Sequence, residues 1–118
     1  MNDELTIAER PFERGLILDL AGNLTRQAEA ALLERRQWGE GLDEGPNLVL
    51  NFGAVGIVNS AGIALLIRLA NAGKRAGYRI YGIGVSAHYQ KMFRLVGLTE
   101  LILLYPDEYS LLLRLSGD

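Results

Sequence analysis

Ser60 stands between Asn59 and the small pair Ala61-Gly62, at the point where a short apolar run gives way to helical spacing. A hydroxyl there has two chemical uses. It can cap the helix, since serine and asparagine are preferred N-cap residues. It can also accept a phosphoryl group, because the free N–H groups and positive dipole end of a helix N-terminus receive an anion. The small residues Gly53, Ala54, Gly56, Ala61 and Gly62 leave room around it for a modifying enzyme. From this segment alone a plain cap is the simpler reading, and the acceptor stays open beside it.

Other chemistries lack their residues. The chain has one histidine and no cysteine, which excludes histidine metal clusters, thiolate sites and disulfides. A Ser-His-Asp system would have to use His88, which lies on a helical stretch beside Tyr89 and reads as a surface residue. Gly82-Ile83-Gly84 follows a strand but lacks the third glycine and the downstream acid of a dinucleotide loop, and no phosphate-cradling loop ending in Gly-Lys-Ser/Thr occurs. Asp107 and Glu108 suit the first turn of a helix better than a paired-carboxylate site. No catalytic constellation, metal site or cofactor site is expected.

The elements that position Ser60 follow from periodicity. Leu48, Val49, Leu50 and Phe52, bounded by Pro46 and Gly53, predict a strand covered on both faces. Ile63, Leu66, Ile67 and Ala70 then fall on one helical face opposite Arg68, Asn71 and Arg75, and Gly77 supplies the stop. Upstream, Leu5 and Ile7 predict a half-buried strand, Pro11 to Gly15 a turn, and residues 16–20 a second strand ending at Gly22-Asn23. Ala28, Ala31 and Leu32 begin a helix reaching about Trp38, before an acidic, glycine-rich connection over residues 39–46. Downstream come a strand over residues 78–84 and a helix capped by Ser86, with Tyr89, Met92, Phe93 and Val96 inward and Gly97-Leu98 closing it. A strand over residues 101–105 and a last helix opened by Pro106-Asp107, with Leu111, Leu112 and Leu115 inward, complete the order β-β-α-β-α-β-α-β-α.

That order predicts an α/β domain: a mixed sheet of about five strands, the N-terminal strand antiparallel and the rest mainly parallel, with helices largely on one face. A length of 118 residues with 49% hydrophobic content fits one domain, residues 1–118, with a single core. No apolar stretch approaches the ~20 residues that span a bilayer, and Met1-Asn2-Asp3-Glu4 does not open like a signal peptide, so a cytoplasmic location and no membrane partner are expected. A formal net charge of −2, with arginines and lysines interspersed among acids, makes no electrostatic case for nucleic acid.

Taken together, Leu48-Val49-Leu50-Asn51-Phe52, Val58-Asn59-Ser60-Ala61-Gly62-Ile63, the strand over residues 78–84, Val96-Gly97-Leu98 and Pro106-Asp107-Glu108 occur in an order that resembles the STAS domains. Within them the chain is similar to the small stand-alone anti-sigma factor antagonists of bacterial partner-switching systems, over roughly residues 4–115. The resemblance implies a non-enzymatic regulator. In that family the unphosphorylated antagonist binds an anti-sigma factor kinase and frees a sigma factor; the kinase phosphorylates a loop serine and ends the contact; a PP2C-type phosphatase resets the switch. Carried over, Ser60 is the phosphoacceptor, and Asn59, Ser60, Ala61, Gly62, Asn23 and Thr25 form the partner-binding end.

Two positions depart from the family pattern. Asn59 replaces the acid before the acceptor serine, and Gly22-Asn23-Leu24-Thr25 replaces a Gly-Glu-Leu-Asp sequence, and both changes remove carboxylates from the partner-facing end. Two other readings compete with the switch: a phosphorylation-independent STAS scaffold subunit, and a small phosphate- or nucleotide-binding α/β enzyme using the loop at Ser60 as an anion site.

Overall fold

The computed structural model of the chain describes residues 3–117. One five-stranded sheet has its strands in sequence order. Strand β1 (Thr6–Phe12) pairs antiparallel with β2 (Gly15–Leu24). Strands β3 (Asn47–Val58), β4 (Arg79–Ile83) and β5 (Ile102–Tyr105) then add in parallel, one beside the next. Four helices connect or follow them: α1 (Glu29–Leu33), α2 (Ser60–Ala76), α3 (Ala87–Leu95) and α4 (Glu108–Ser116). The architecture and element order are those expected from the periodicity.

Strand alternation divides the core in two. Leu16, Leu18, Leu20, Leu48, Leu50 and Ile80 point to the face covered by α1, α2 and α3, where Leu32, Leu66, Leu69 and Phe93 meet them. The intervening residues Ile17, Val49, Tyr81 and Ile83 point the other way and meet Leu111 of α4. The central strands are therefore apolar at successive positions because both faces are covered. Among the described residues, α4 is the helix that covers the second face.

Several boundaries differ from the sequence expectation. Strand β1 continues through Pro11, opposite Leu16, and the turn shrinks to Glu13-Arg14. Proline is tolerated because β1 is an edge strand, where one side of the backbone needs no ladder partner. The first helix stops at Leu33 instead of reaching Trp38. Trp38 lies in a separate 3-10 turn and its indole N–H donates to the Leu32 carbonyl at 2.8 Å. Arg35 and Arg36 leave the helical path to reach Glu9 on β1, and Arg36 also pairs with Glu44 at 2.7 Å. Tertiary contacts outweigh local helix propensity here.

Two other corrections concern packing. Val96, expected inward, is 49% exposed because α3 ends at Leu95 and Gly97 takes a left-handed φ of 80° immediately after it. Leu98 is buried behind that turn, as a helix-closing contact requires. On α4 only Leu111 is fully buried; Leu112 and Leu115 are half-buried, and Leu115 packs at the edge of the second core.

Candidate functional site

Strand β3 outlasts its neighbour. Its last partner on β4 is the Asn51–Ile83 pair, and the stretch from Gly53 to Val58, expected to be a small-residue loop, continues as strand against β2 alone. The pairing there is irregular, with register shifts between Asp19 and Ala21 and between Gly22 and Leu24. Bulges of this kind leave backbone groups without ladder partners, and side chains supply them. Asn51 Oδ1 accepts from the Gly53 N–H at 3.0 Å, Asn23 Oδ1 from the Ile57 N–H at 3.0 Å, and the Tyr89 hydroxyl from the Val58 N–H at 3.0 Å. Where β4 has ended, a cleft of about 170 Å³ separates this tail from the start of α3, with Phe52, Gly56, Gly84 and Tyr89 among its walls.

The tail delivers the chain to the N-terminus of α2. Asn59 is extended (φ −104°, ψ −176°) and is itself the cap: its Oδ1 accepts from the Gly62 N–H at 2.9 Å. The cap function considered for Ser60 is thus taken by the residue before it. Ser60 is the first helical residue and is exposed, and its hydroxyl makes no hydrogen bond among the described residues. The first turn of α2 contains no acid, while Lys74 and Arg75 lie in the last turn. A dianion on Ser60 would therefore meet the positive end of the helix without a neighbouring carboxylate on that turn.

Gly62 explains how this turn sits so close to the sheet. A Cβ built there would come within 1.9 Å of the Leu24 carbonyl oxygen. The same carbonyl receives the Asn59 N–H at 3.2 Å. Leu24 also pairs with Val58, so the end of β2 and the start of α2 are joined by backbone contacts that only glycine at 62 permits.

All six residues expected at the partner-binding end come together. Asn59, Ser60, Ala61 and Gly62 form the first turn and its cap, and Asn23 and Thr25 flank Leu24 beside it. Their roles are unequal. Asn23 is half-buried and uses its side-chain oxygen to hold the β3 tail. The Thr25 hydroxyl donates to Gln27 Oε1 at 2.9 Å, and the Thr25 carbonyl accepts the Ala28 N–H that opens a short 3-10 turn before α1. Asn59, Ser60 and Ile57, the last 56% exposed, face solvent beside one another in sequence.

Sequence reading did not single out Tyr89 or Asn51 as supports of this end. Tyr89 was recognisable as an inward helical residue, but its partner on β3 is 31 positions away. Asn51 interrupts an apolar strand, and that interruption is a visible signal for a part-buried polar link. Its amide donates to Asp19 Oδ1 at 2.8 Å, and Arg10 completes the chain by bridging Asp19 and Glu108. The Arg10 guanidinium, aided by the Asn51 amide, holds the Asp19 carboxyl below the usual carboxylate range. Among the described residues, no group of His, Asp or Glu side chains could hold a metal ion.

The family model described as "Mlab, STAS domain" matches residues 10–105. The chain belongs to the STAS domain family. Its fold is similar to that of the anti-sigma factor antagonist SpoIIAA in its unphosphorylated form, with a TM-score of 0.73, 16% identity and 97% of each chain covered. An anti-sigma factor antagonist from Mycobacterium paratuberculosis gives a TM-score of 0.69 and 23% identity, over 95% of this chain and 94% of that one. SpoIIAA from Bacillus in its phosphorylated form gives 0.62 and 14%, over 91% of this STAS domain and 96% of that chain. None of the curated proteins matches the sequence. Among the described residues, no helix of this STAS domain is long and apolar enough to cross a membrane.

Proposed function

We propose that this STAS domain is an anti-sigma factor antagonist that binds an anti-sigma factor kinase through the end of the molecule around α2 and leaves it when Ser60 is phosphorylated. The observation that carries the reading is the division of labour at the helix N-terminus: Asn59 caps, so Ser60 presents an exposed, uncommitted hydroxyl to solvent. The similarity to SpoIIAA, a protein with an unphosphorylated and a phosphorylated form, supports the same reading.

In the transfer, Ser60 Oγ attacks the γ-phosphorus of the kinase's ATP; the Oγ–P bond forms, the bond to ADP breaks, and the hydroxyl proton passes to a base of the kinase. The product carries about −1.5 to −2 charges at the helix end. The helix dipole tolerates that charge, so the fold survives, while a partner surface fitted to a neutral hydroxyl is repelled or sterically displaced. A PP2C-type phosphatase would return the serine by directing water onto the phosphorus. Asn59 and Asn23, where the family carries acids, make the contact surface less negative and would select a kinase with fewer cations at its face.

The test is to incubate the chain with the kinase encoded nearest to it and ATP, and to read intact mass and then phosphopeptides. One phosphate on Ser60 is expected. Ser60→Ala should still bind the kinase and Ser60→Asp should bind it more weakly, with both variants folded by circular dichroism. Label on Ser86 and none on Ser60 would overturn the assignment. Kinase binding equal for all three chains would favour the scaffold reading, in which assembly does not depend on phosphate.

A further inference from the structure

Helix α4 is apolar on more sides than the fold covers. Of its residues Tyr109, Leu111, Leu112, Leu113 and Leu115, only Leu111 is fully buried; Tyr109 is 76% and Leu113 59% exposed. The apolar stripe of a helix is normally covered along its whole width. Beside it lies a groove of about 400 Å³, floored by Phe12, Leu112 and Leu115 and edged by the β1–β2 turn at Glu13 and Arg14. Neighbouring exposed apolar residues with an adjoining groove mark an interaction surface, whereas isolated ones do not.

The order of charges along this strip says what would cover it. Asp107 and Glu108 lie at the N-terminal end of α4, next to Arg10. Arg114 lies at the C-terminal end, with Arg14 at the edge of the adjoining groove. The side chains of Arg14 and Arg114 make no ion pair among the described residues, so both are available to an incoming acid. With Arg10 set against Asp19, Asp107 and Glu108 the N-terminal end keeps a negative excess, and with Glu13 set against Arg14 and Arg114 the other end keeps a positive one, so the strip runs acid, apolar, base. Turned end for end by a two-fold axis, the same strip runs base, apolar, acid, and each part faces its complement.

We infer that α4 and the β1–β2 turn form a homodimer surface, on which two copies of this chain pack their α4 helices antiparallel. Tyr109 of each copy enters the groove of the other beside Leu112 and Leu115, and the Arg14 and Arg114 end of each meets the Asp107 and Glu108 end of its mate. A two-fold contact requires one surface to complement itself, and projection, groove and both charge signs are all present on this strip. A lipid surface would favour cations around the whole apolar strip, and the acidic end opposes that. Helix α2 and Ser60 lie on the opposite face of the sheet, so the pairing leaves the acceptor hydroxyl accessible.

Sedimentation velocity of the full chain over a roughly hundredfold range of concentration tests this without any kinase. A monomer–dimer equilibrium is expected, weakened by high salt. Leu113→Asp and Tyr109→Lys should each raise the dissociation constant at least about tenfold, and Arg114→Glu should weaken the dimer to a smaller degree. Circular dichroism checks folding, and Tyr109→Lys, at the more exposed position, serves if Leu113→Asp does not fold. A wild-type chain that stays monomeric throughout, or folded Leu113→Asp and Tyr109→Lys variants that dimerise as well as wild type, would overturn the inference. So would a monomer that sediments with anionic phospholipid vesicles, which would assign the strip to lipid.

Discussion

At the scale of single residues, Asn59 and Ser60 divide tasks that the sequence alone would give to either of them. Asn59 holds the first turn of α2 through the Gly62 N–H, and the Ser60 hydroxyl has no hydrogen bond among the described residues. Asparagine and aspartate cap with comparable strength, whereas alanine loses about 1 kcal/mol. Asn59→Asp should therefore leave the melting temperature within a degree or two of wild type, and Asn59→Ala should lower it by roughly 3–5 °C, as expected for that loss in a domain of this size. The aspartate variant should act on recognition instead, changing kinase affinity or the rate of phosphorylation, because it puts a charge beside the arriving phosphate. A thermal melt paired with a phosphorylation time course checks both. A large drop in melting temperature for Asn59→Asp, with unaltered kinase binding and phosphorylation, would make Asn59 structural and misplace the contact surface.

At the scale of elements, the tail of β3 is the part that the neighbouring strands support least. Beyond Asn51 it has lost β4, and its backbone is held by irregular pairing with β2 and by side chains from β2, β3 and α3. Tyr89 is the link to α3. Its ring lies 6.4 Å from the Phe93 ring, and its hydroxyl accepts from Val58, two residues before Ser60. Tyr89→Phe keeps the ring packing and removes the acceptor, which should cost about 1–2 kcal/mol for a part-buried N–H left unpaired. Native-state hydrogen exchange should show faster exchange at Val58, while Leu50 in the centre of β3 changes only with the global stability. Unchanged protection at Val58 would show that β2 alone holds the tail.

At the scale of the whole molecule, two ionic clusters tie the N-terminal hairpin to the remainder. Arg10 joins Asp19 on β2 to Glu108 on α4, and Arg35 and Arg36 join Glu9 on β1 to Glu44 in the loop before β3. Hydrogen bonds from Arg36 hold the Glu9 and Glu44 carboxyls below their ordinary range, as Arg10 does for Asp19. A carboxyl depressed in the folded state is still ionised there when the unfolded chain has begun to bind its proton. The stabilisation is therefore complete above the unfolded values, near 4, and is lost as pH falls through the lower folded values. Thermal melts should show little pH dependence from these groups between about pH 5 and 7, where their contribution is complete, and a decline below about pH 4.5. Glu9→Gln should flatten part of that decline, and a wild-type melting temperature that rose on acidification from pH 5 would contradict it. These side chains remain partly exposed, which keeps the effect modest.

Alternation in β1, continuous apolar runs in β2 and β3 and a period near 3.6 in α2 determined the element order and sheet type, because a residue's face is set by local geometry before any long-range contact forms. The helix start at Asn59-Ser60, the buried face of α2 and its glycine stop at Gly77 were legible for the same reason. The resemblance carried by the short segments around Ser60 added the expectation of a STAS domain, and the family match over residues 10–105 agrees with it. What the sequence left undecided rests on partners distant along the chain. Leu33 ends α1 because Arg35, Arg36 and Trp38 find Glu9, Glu44 and the Leu32 carbonyl. The residues 53–58 read as a loop because glycines lower strand propensity, yet they are strand because β2 runs on beside them. Whether Asn59 or Ser60 caps α2 was decided only when the Leu24 carbonyl drew in the Asn59 backbone and close approach at Gly62 set the first turn against β2. Local spacing can place a hydroxyl at the start of a helix; only the fold determines whether that hydroxyl is already in use.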